Sequence, residues 1–398
     1  MLEVEEARAR ISAVITPLAG EMVPLRAAAG RVLAESVIAP LALPPFDNSA
    51  MDGYAVRAAD VAGADAAAPI TLKQIGAVAA GATFTGPLEK GTCVRLFTGS
   101  PLPAGADAVV MQEDARAEGN SIAILDAVKP WENVRLAGED VKRGETVAAA
   151  GERLTAARLA LCGALGLEHL RVGARPVLGL LGTGNELIEA GTPLAPGQIY
   201  ESNRLAVATL VTDCGGVAQV YPLVRDSLEA TRDALEKAFT ECDAVITTGG
   251  VSVGDHDLVK AAFEALGGTV DFWQVAMKPG KPFVFGRLGG KFLFGLPGNP
   301  VSAFVTFLVL VRPAILRMQG AGDLSLPSYP AVLAEPLHNR GGRRHFLRVR
   351  VDGAGRVWSS GPQASHALGG LARANGLVEV APETRLAAGV TVAVHPLA

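Results

Sequence analysis

The chain has 398 residues, 49% of them hydrophobic and 19% charged, too long for one ordinary core and too apolar for a disordered chain. Lys plus Arg total 36 and Asp plus Glu 40, a net charge of −4. That balance argues against general nucleic-acid binding, which needs a basic surface. Four scattered cysteines (Cys93, Cys162, Cys214, Cys242) lack CxxC spacing, so neither a zinc site nor a disulfide framework is expected, and each reads as a small core residue. The N-terminus is charged from its third residue, unlike a signal peptide. The longest apolar run, 303–311, is broken by Arg312 and Pro313 and falls short of the ~20 residues of a membrane span. These features predict a soluble, cytoplasmic protein with no membrane or nucleic-acid partner.

In chain order, residues 4–18 have helical apolar spacing and stop at Pro17 and Gly20. From Pro40, Pro44 and Pro45 to about Trp131, short strand-like runs such as "MDGYAV", "CVRLFTG" and "DAVVMQED" alternate with turns and predict a β-rich unit. "LTAARLALCGALGL" then reads as a helix with Thr155 as N-cap. It resembles 4–18 in character, so the β-rich unit reads as an insertion into a helical domain made from two separated segments. From Arg175, strands ("PVLGLLGTG", "AQVYPLV", "DAVITTGG") alternate with helices, one capped by Ser227. That alternation predicts a doubly wound, mostly parallel α/β sheet. "TVDFWQVA", "PFVFGRL" and "KFLFGLPG" are further strands. "NPVSAFVTFLVLVRPAILRMQ" is a helix with Asn299 as cap and Pro300 at its first position. From about Pro327, short strands return and predict a small all-β terminal domain.

Ligands of open α/β sheets sit beyond the carboxyl ends of the strands. Five unusual turns are expected there: "GTGNEL" (182–187), "RDS" (225–227), "TTGGVSVGDHD" (247–257), "MKPGK" (277–281) and "LPGNP" (296–300). Gly249, Gly250 and Gly254 let backbone N–H groups approach an anion, and Asn299 starts a helix, another anion site. Lys278 and Lys281 add positive charge. Glu186, Asp226, Asp255 and Asp257 only accept hydrogen bonds at neutral pH. Carboxylates facing a phosphate repel it unless a divalent cation lies between, which points to Mg²⁺, an ion that prefers oxygen ligands. Helix capping is the competing reading of these acids. No P-loop, Rossmann fingerprint or GxSxG elbow occurs. A second anomaly, "LPPFDNSAMDGYAV" (43–56), crowds Asp47, Asn48, Ser49 and Asp52 around a glycine; Thr98 sits on a nearby glycine turn and Asp140 ends "AGED".

"PPFDNSAMDGYAV", "RLFTGSPLPAGADAVVMQED", "GED", "TGNEL", "SNR", "TTGGVSVGDHD", "KPGKP", "LPGNPVSA" and "GPQASH" follow one another along the whole chain. In this order they resemble the family of molybdopterin molybdenumtransferases, the bacterial MoeA proteins and the C-terminal domain of gephyrin. The resemblance implies an elongated discontinuous domain (1–40 and 137–173) and an inserted β-rich domain (41–136). An α/β molybdopterin-binding domain like that of molybdopterin adenylyltransferases (174–322) and a C-terminal β-barrel-like domain (323–398) complete it. It implies a homodimer that inserts molybdate into adenylated molybdopterin with Mg²⁺, giving molybdenum cofactor and AMP. By motif, its functional acids match Asp52, Asp140, Glu186, Asp226 and Asp257, its threonine Thr98 and its lysines Lys278 and Lys281. Glu186, Asp226 and Asp257 are the expected metal ligands. The expected ligand-binding residues are Gly182 and Gly184, then Gly249, Gly250, Ser252 and Gly254. Pro297, Gly298, Asn299 and Pro300 follow, with Ser365 in the C-terminal motif. Asn185 stands where many members have Asp, and His345 interrupts a usual Arg-Glu/Thr-Phe run.

The resemblance also implies an adenylyltransferase upstream, with molybdoenzymes or cofactor chaperones downstream. Two other readings compete. A nucleotide pyrophosphatase of the competence-damage type would share only the α/β domain and would need neither "NSAMDGYA" nor the terminal β domain. A pterin carrier or scaffold would not need intact acids.

Overall fold

The computed structural model describes residues 1–79, 81–250 and 258–397. Ser252, Gly254, Asp255 and Asp257 therefore lie outside the described residues. The chain divides into two compact units. One comprises Ser36–Ala149 and Thr155–His169, the other Met1–Glu35, Ala150–Leu154 and Leu170–Ala398.

The first of these is β-rich, as its short alternating runs predict. Six strands form one sheet in the order Ala108–Met111, Gly53–Val56, Thr92–Leu96, Ile70–Ala77, Ser121–Ile124 and Ala115–Glu118. Val56, Leu72, Cys93, Val110 and Ile122 form its core on one face. Ala55, Val94, Leu96 and Val109 point to the other, the two-residue alternation of a pleated strand. Its helix Ala156–Ala164 is capped by Thr155, whose hydroxyl accepts from the Arg158 N–H at 3.3 Å.

The second unit holds the α/β sheet, in the order Val217–Val220, Val177–Gly182, Ala244–Thr248, Lys291–Leu296, Pro282–Leu288, Thr269–Gln274. The first four strands pair in parallel. Pro282–Leu288 runs antiparallel to both its neighbours, Lys291–Leu296 and Thr269–Gln274, so five of the six strands share one direction, in keeping with a mostly parallel sheet. Leu288 pairs directly with Lys291 across Gly289 and Gly290, both at positive φ. A two-residue turn can only reverse the chain, because a parallel crossover needs a dozen or more residues. Leu178, Leu180, Ile246 and Phe294 pack on one face under the helices Asn203–Asp213 and Pro300–Thr306. Leu181, Val245 and Leu293 pack on the other against Leu228–Glu241 and Leu258–Ala265. Ser227 caps Leu228–Glu241, accepting from the Ala230 N–H at 3.1 Å.

The long apolar helix runs through Arg312 and Pro313, as its sequence reads. Residues 300–318 run on continuously, through one π-helical stretch at Phe307–Val311. This rod is long and apolar enough to cross a membrane, but most of it is buried inside the protein. Pro313 has no N–H to offer the Val309 carbonyl. The Arg8 Nε fills that gap at 2.9 Å. Asn299 occupies the cap position but its side chain makes no capping bond.

The C-terminal strands also form a sheet, and five of them close on themselves. Arg344–Val351 pairs with both Arg356–Ser359 and Gly376–Val380, and Tyr329–Leu333 and Thr391–Pro396 complete the ring. Met277–Lys278 adds to its edge, with Lys278 opposite His345.

Candidate functional site

The parallel strands all end at one edge, where the backbone leaves the sheet in glycine turns. A cavity of about 1010 Å³ opens there. Thr183, Gly184 and Glu186 line it after Val177–Gly182, and Asp226 lies beyond Val217–Val220. Thr248, Gly249 and Gly250 follow Ala244–Thr248, and Pro297 to Pro300 follow Lys291–Leu296. This is the carboxyl-edge crevice expected of an open α/β sheet.

The glycines are needed here for space as well as for backbone angle. Gly249 and Gly250 have φ of +87° and +67°. A Cβ on Gly249 would stand 2.7 Å from the Thr183 carbonyl oxygen. The Gly249 N–H donates to Leu296 O at 3.2 Å, and Thr183 N–H to Thr248 O at 3.1 Å. Neighbouring turns are thereby locked into one wall. The Thr183 and Thr248 hydroxyls are buried with no hydrogen-bond partner among the described residues, which leaves polar groups at the floor.

Three acidic residues line the cavity, Glu186, Glu201 and Asp226, and the Glu201 carboxylate is taken up by Arg204. The Glu186 carboxylate lies against Gly184, so close that a Cβ there would be 2.8 Å from Oε2. Asp226 is held by a reciprocal pair. Its Oδ2 accepts from the Asn185 N–H at 3.0 Å, and its own N–H donates to Asn185 Oδ1 at 3.1 Å. Among the described residues, no group of three or more His, Cys, Asp or Glu side chains could hold a metal ion.

The β-rich unit carries a second cluster. One oxygen of Asp52 accepts from both the Thr98 N–H, at 2.7 Å, and the Thr98 hydroxyl, at 2.8 Å. The backbone bond is the largest of the effects that hold its carboxyl below the usual carboxylate range, ahead of the hydroxyl bond and the nearby Arg95 charge. The neighbouring polar residues build turns. Asp47 accepts from the Ala137 N–H, Asn48 donates to Phe46 O and Ser49 to Met51 O. Asp140 is exposed in this unit.

Three family models cover most of the chain. The MoeA N-terminal region (domain I and II) matches residues 2–166, a probable molybdopterin binding domain 179–317, and the MoeA C-terminal region (domain IV) 330–397. The chain is 42% identical to "Molybdopterin molybdenumtransferase 2" of Mycobacterium tuberculosis, over 94% of each. It is 38% identical to "Molybdopterin molybdenumtransferase" of Haemophilus influenzae, over 100% of this chain and 98% of that one. The chain belongs to the MoeA family. These are transferases, and their naming ties the family to molybdenum cofactor biosynthesis. Among solved structures, the molybdopterin biosynthesis moeA protein of Pyrococcus horikoshii OT3 matches with a TM-score of 0.87 at 32% identity, over 99% of both chains.

In this MoeA-family chain, Gly184, Glu186, Asp226, Gly249, Gly250 and Pro297 to Pro300 all line the cavity. Lys278, Lys281, Gly182 and Ser365 do not. Gly182 has a different use, because a Cβ there would stand 3.2 Å from the Arg204 side chain. The Ser365 carbonyl accepts from the Val301 N–H at 3.1 Å, which brings the next residue, His366, to the cavity. Sequence reasoning missed Tyr200, Asn203 and His366. "SNR" and "GPQASH" held the available signal: Asn203 lies in the first, where its Nδ2 donates to Gly298 O at 2.7 Å and ties two turns together, and His366 ends the second.

Proposed function

We propose that this protein inserts molybdate into adenylated molybdopterin with Mg²⁺, releasing AMP and forming molybdenum cofactor. One observation carries the reading: in a MoeA-family chain, the carboxyl edge of the sheet presents glycine-turn backbone and the acids Glu186 and Asp226 to one cavity of about 1010 Å³. Backbone amides suit the substrate's pyrophosphate. Exposed Ile199 and Tyr200 at the rim suit a flat heteroaromatic ring.

Magnesium typically binds through one or two carboxylates plus substrate phosphates, and Glu186 and Asp226 fit that pattern. They would hold it, with Asp257 as the expected third acid. When bound, the ion neutralises phosphate charge and polarises a phosphoryl oxygen. Glu186 and Asp226 would hold the ion, and the turn amides hold the anion as charge develops. Lys278 and Lys281 stand as cations for an oxyanion. Asp52, anchored by Thr98, and Asp140 supply a further acidic cluster for the metal-transfer step. All four cysteines are buried and free, which favours the dithiolene sulfurs of the substrate as molybdenum acceptors. Cys93 and Cys214 are pushed by burial to about 12 and about 11, far from a reactive thiolate. We read the protein as a cytoplasmic homodimer, fed by a molybdopterin adenylyltransferase and supplying molybdoenzymes or cofactor chaperones.

The test is AMP release from adenylated molybdopterin in Mg²⁺ buffer, with and without molybdate. Molybdate-dependent release with metal-bound pterin as product is expected. Binding without release would replace the transferase reading with a carrier or scaffold.

A further inference from the structure

Arg204 is only 4% exposed, and nothing in the chemistry above uses it. It is the second residue of the helix Asn203–Asp213. Its guanidinium divides among three acceptors. Nη1 donates to the Tyr221 carbonyl at 2.5 Å, Nη2 to Glu189 Oε1 at 2.6 Å and Nε to Glu201 Oε2 at 3.1 Å. Glu201 Oε1 also accepts the Arg204 backbone N–H at 2.8 Å. The missing side chain at Gly182 makes room for this arrangement.

The two glutamates belong to one piece of cavity wall. Residues 186–201 leave the sheet and return to it. Leu187–Ile188 pairs with Ile199–Tyr200, and the Ile199 N–H donates to Glu186 O at 2.8 Å. Glu186, Leu187, Ile199, Tyr200 and Glu201 all line the cavity. Arg204 therefore grips the outgoing end at Glu189 and the returning end at Glu201, and fixes both to Tyr221 just past a strand of the sheet.

We propose that Arg204 is a positioning residue that clasps the wall segment 186–201 to the sheet, and that Glu189 is its releasable leg. The Glu201 side chain is 5% exposed, whereas that of Glu189 is 61% exposed. Loss of the Glu189 contact frees one end of the wall and leaves no buried charge unpaired. The planar fork of Arg reaches all three acceptors, which a lysine ammonium cannot match. The clasp acts on ligand affinity, since no atom of it lies among the groups assigned to the reaction. This part rests on the reading that the cavity takes molybdopterin.

The experiment uses the full chain with Glu189→Gln and Arg204→Lys. Limited chymotrypsin cleavage after Tyr200 reports the wall without any ligand, and titration with molybdopterin reports affinity. Glu189→Gln should cleave and bind, respectively, about two- to fivefold faster and weaker, the size of one partly exposed ion pair. Its melting temperature and its turnover at saturating substrate should stay at the wild-type values. Arg204→Lys should cleave faster and bind more weakly than wild type, and retain more affinity than Arg204→Met. Unchanged cleavage after Tyr200 in Glu189→Gln overturns the clasp, whatever the ligand result. Faster cleavage with wild-type affinity overturns its role in binding. A wild-type protein that fails to bind molybdopterin overturns the substrate reading instead, and the cleavage rates still decide the clasp.

Discussion

Asp52 and Thr98 form a pair whose effect on ionisation has a definite sign. Two donors on one carboxylate oxygen favour the charged form, so the Asp52 carboxyl titrates below its ordinary value. Thr98→Val keeps the backbone donor and removes the hydroxyl. The Asp52 carboxyl then titrates higher, and the acid limb of the pH–rate profile should move to higher pH. Turnover should drop by about tenfold, as for one hydrogen bond to a charged group. An unshifted limb would remove Thr98 from the ionisation of Asp52. His345 behaves in the opposite way. It is 4% exposed, its Nε2 has no partner among the described residues, and burial lowers it to about 4. Lys278, Arg348 and Arg343 add to that shift. The unfolded chain takes up this proton near pH ~6.5, so it binds more protons than the folded chain between there and pH 4. Stability contributed by the neutral ring is present above about pH 6.5 and lost as pH falls towards 4. Urea melts from pH 7 to 4 should show that slope, and His345→Leu should flatten it. Equal slopes in both proteins would assign the acid sensitivity elsewhere.

At the scale of elements, local chemistry made most strands and helices legible. Thr155 and Ser227 cap as their positions predict, and the Gly289-Gly290 pair marks a reversal that a closer reading of turn chemistry would have found. The helix at 300–318 was legible too, but not what sustains it past Pro313. Proline removes a helical donor, and the N-terminal helix supplies a bond to the Val309 carbonyl through Arg8. A contact spanning 301 residues leaves no local signature. Arg8→Met should therefore strand the buried Val309 carbonyl and destabilise the protein by about 1–3 kcal/mol in urea unfolding. Arg10→Met breaks only an exposed pair with Glu6 and should stay within about 0.5 kcal/mol. Equal losses in the two variants would show that the Val309 bond contributes nothing special.

At the scale of the whole molecule, each compact unit has its own apolar core. Two cores need not melt as one cooperative block. Scanning calorimetry should give a calorimetric enthalpy above the van't Hoff value, and a chymotryptic digest during the scan should attack one unit before the other. Equal enthalpies would mean that the units unfold together. The site residues divide between the same units: Glu186 and Asp226 belong to one, and Asp52, Thr98 and Asp140 to the other. Substituting Asp52 should thus leave the binding of molybdopterin to the α/β cavity near wild type while abolishing molybdate-dependent AMP release. Loss of binding in Asp52→Ala would contradict that division of labour.

The sequence by itself determined the family, through nine motifs in order, and the location of the cavity. Strand–helix alternation fixes where carboxyl ends gather, and glycine, aspartate and asparagine turns there have few other uses. It also named Glu186 and Asp226 among the acids that line it, but not Glu201. Tertiary structure alone decided which of these groups meet. Tyr200 and His366 reach the cavity from segments far apart in the chain. Arg204 looks in sequence like an ordinary helix residue and becomes a buried clasp only because Tyr221, Glu189 and Glu201 converge on it. Hydrogen bonds between distant segments depend on the path of the whole backbone, whereas turns and caps depend on a few neighbouring residues.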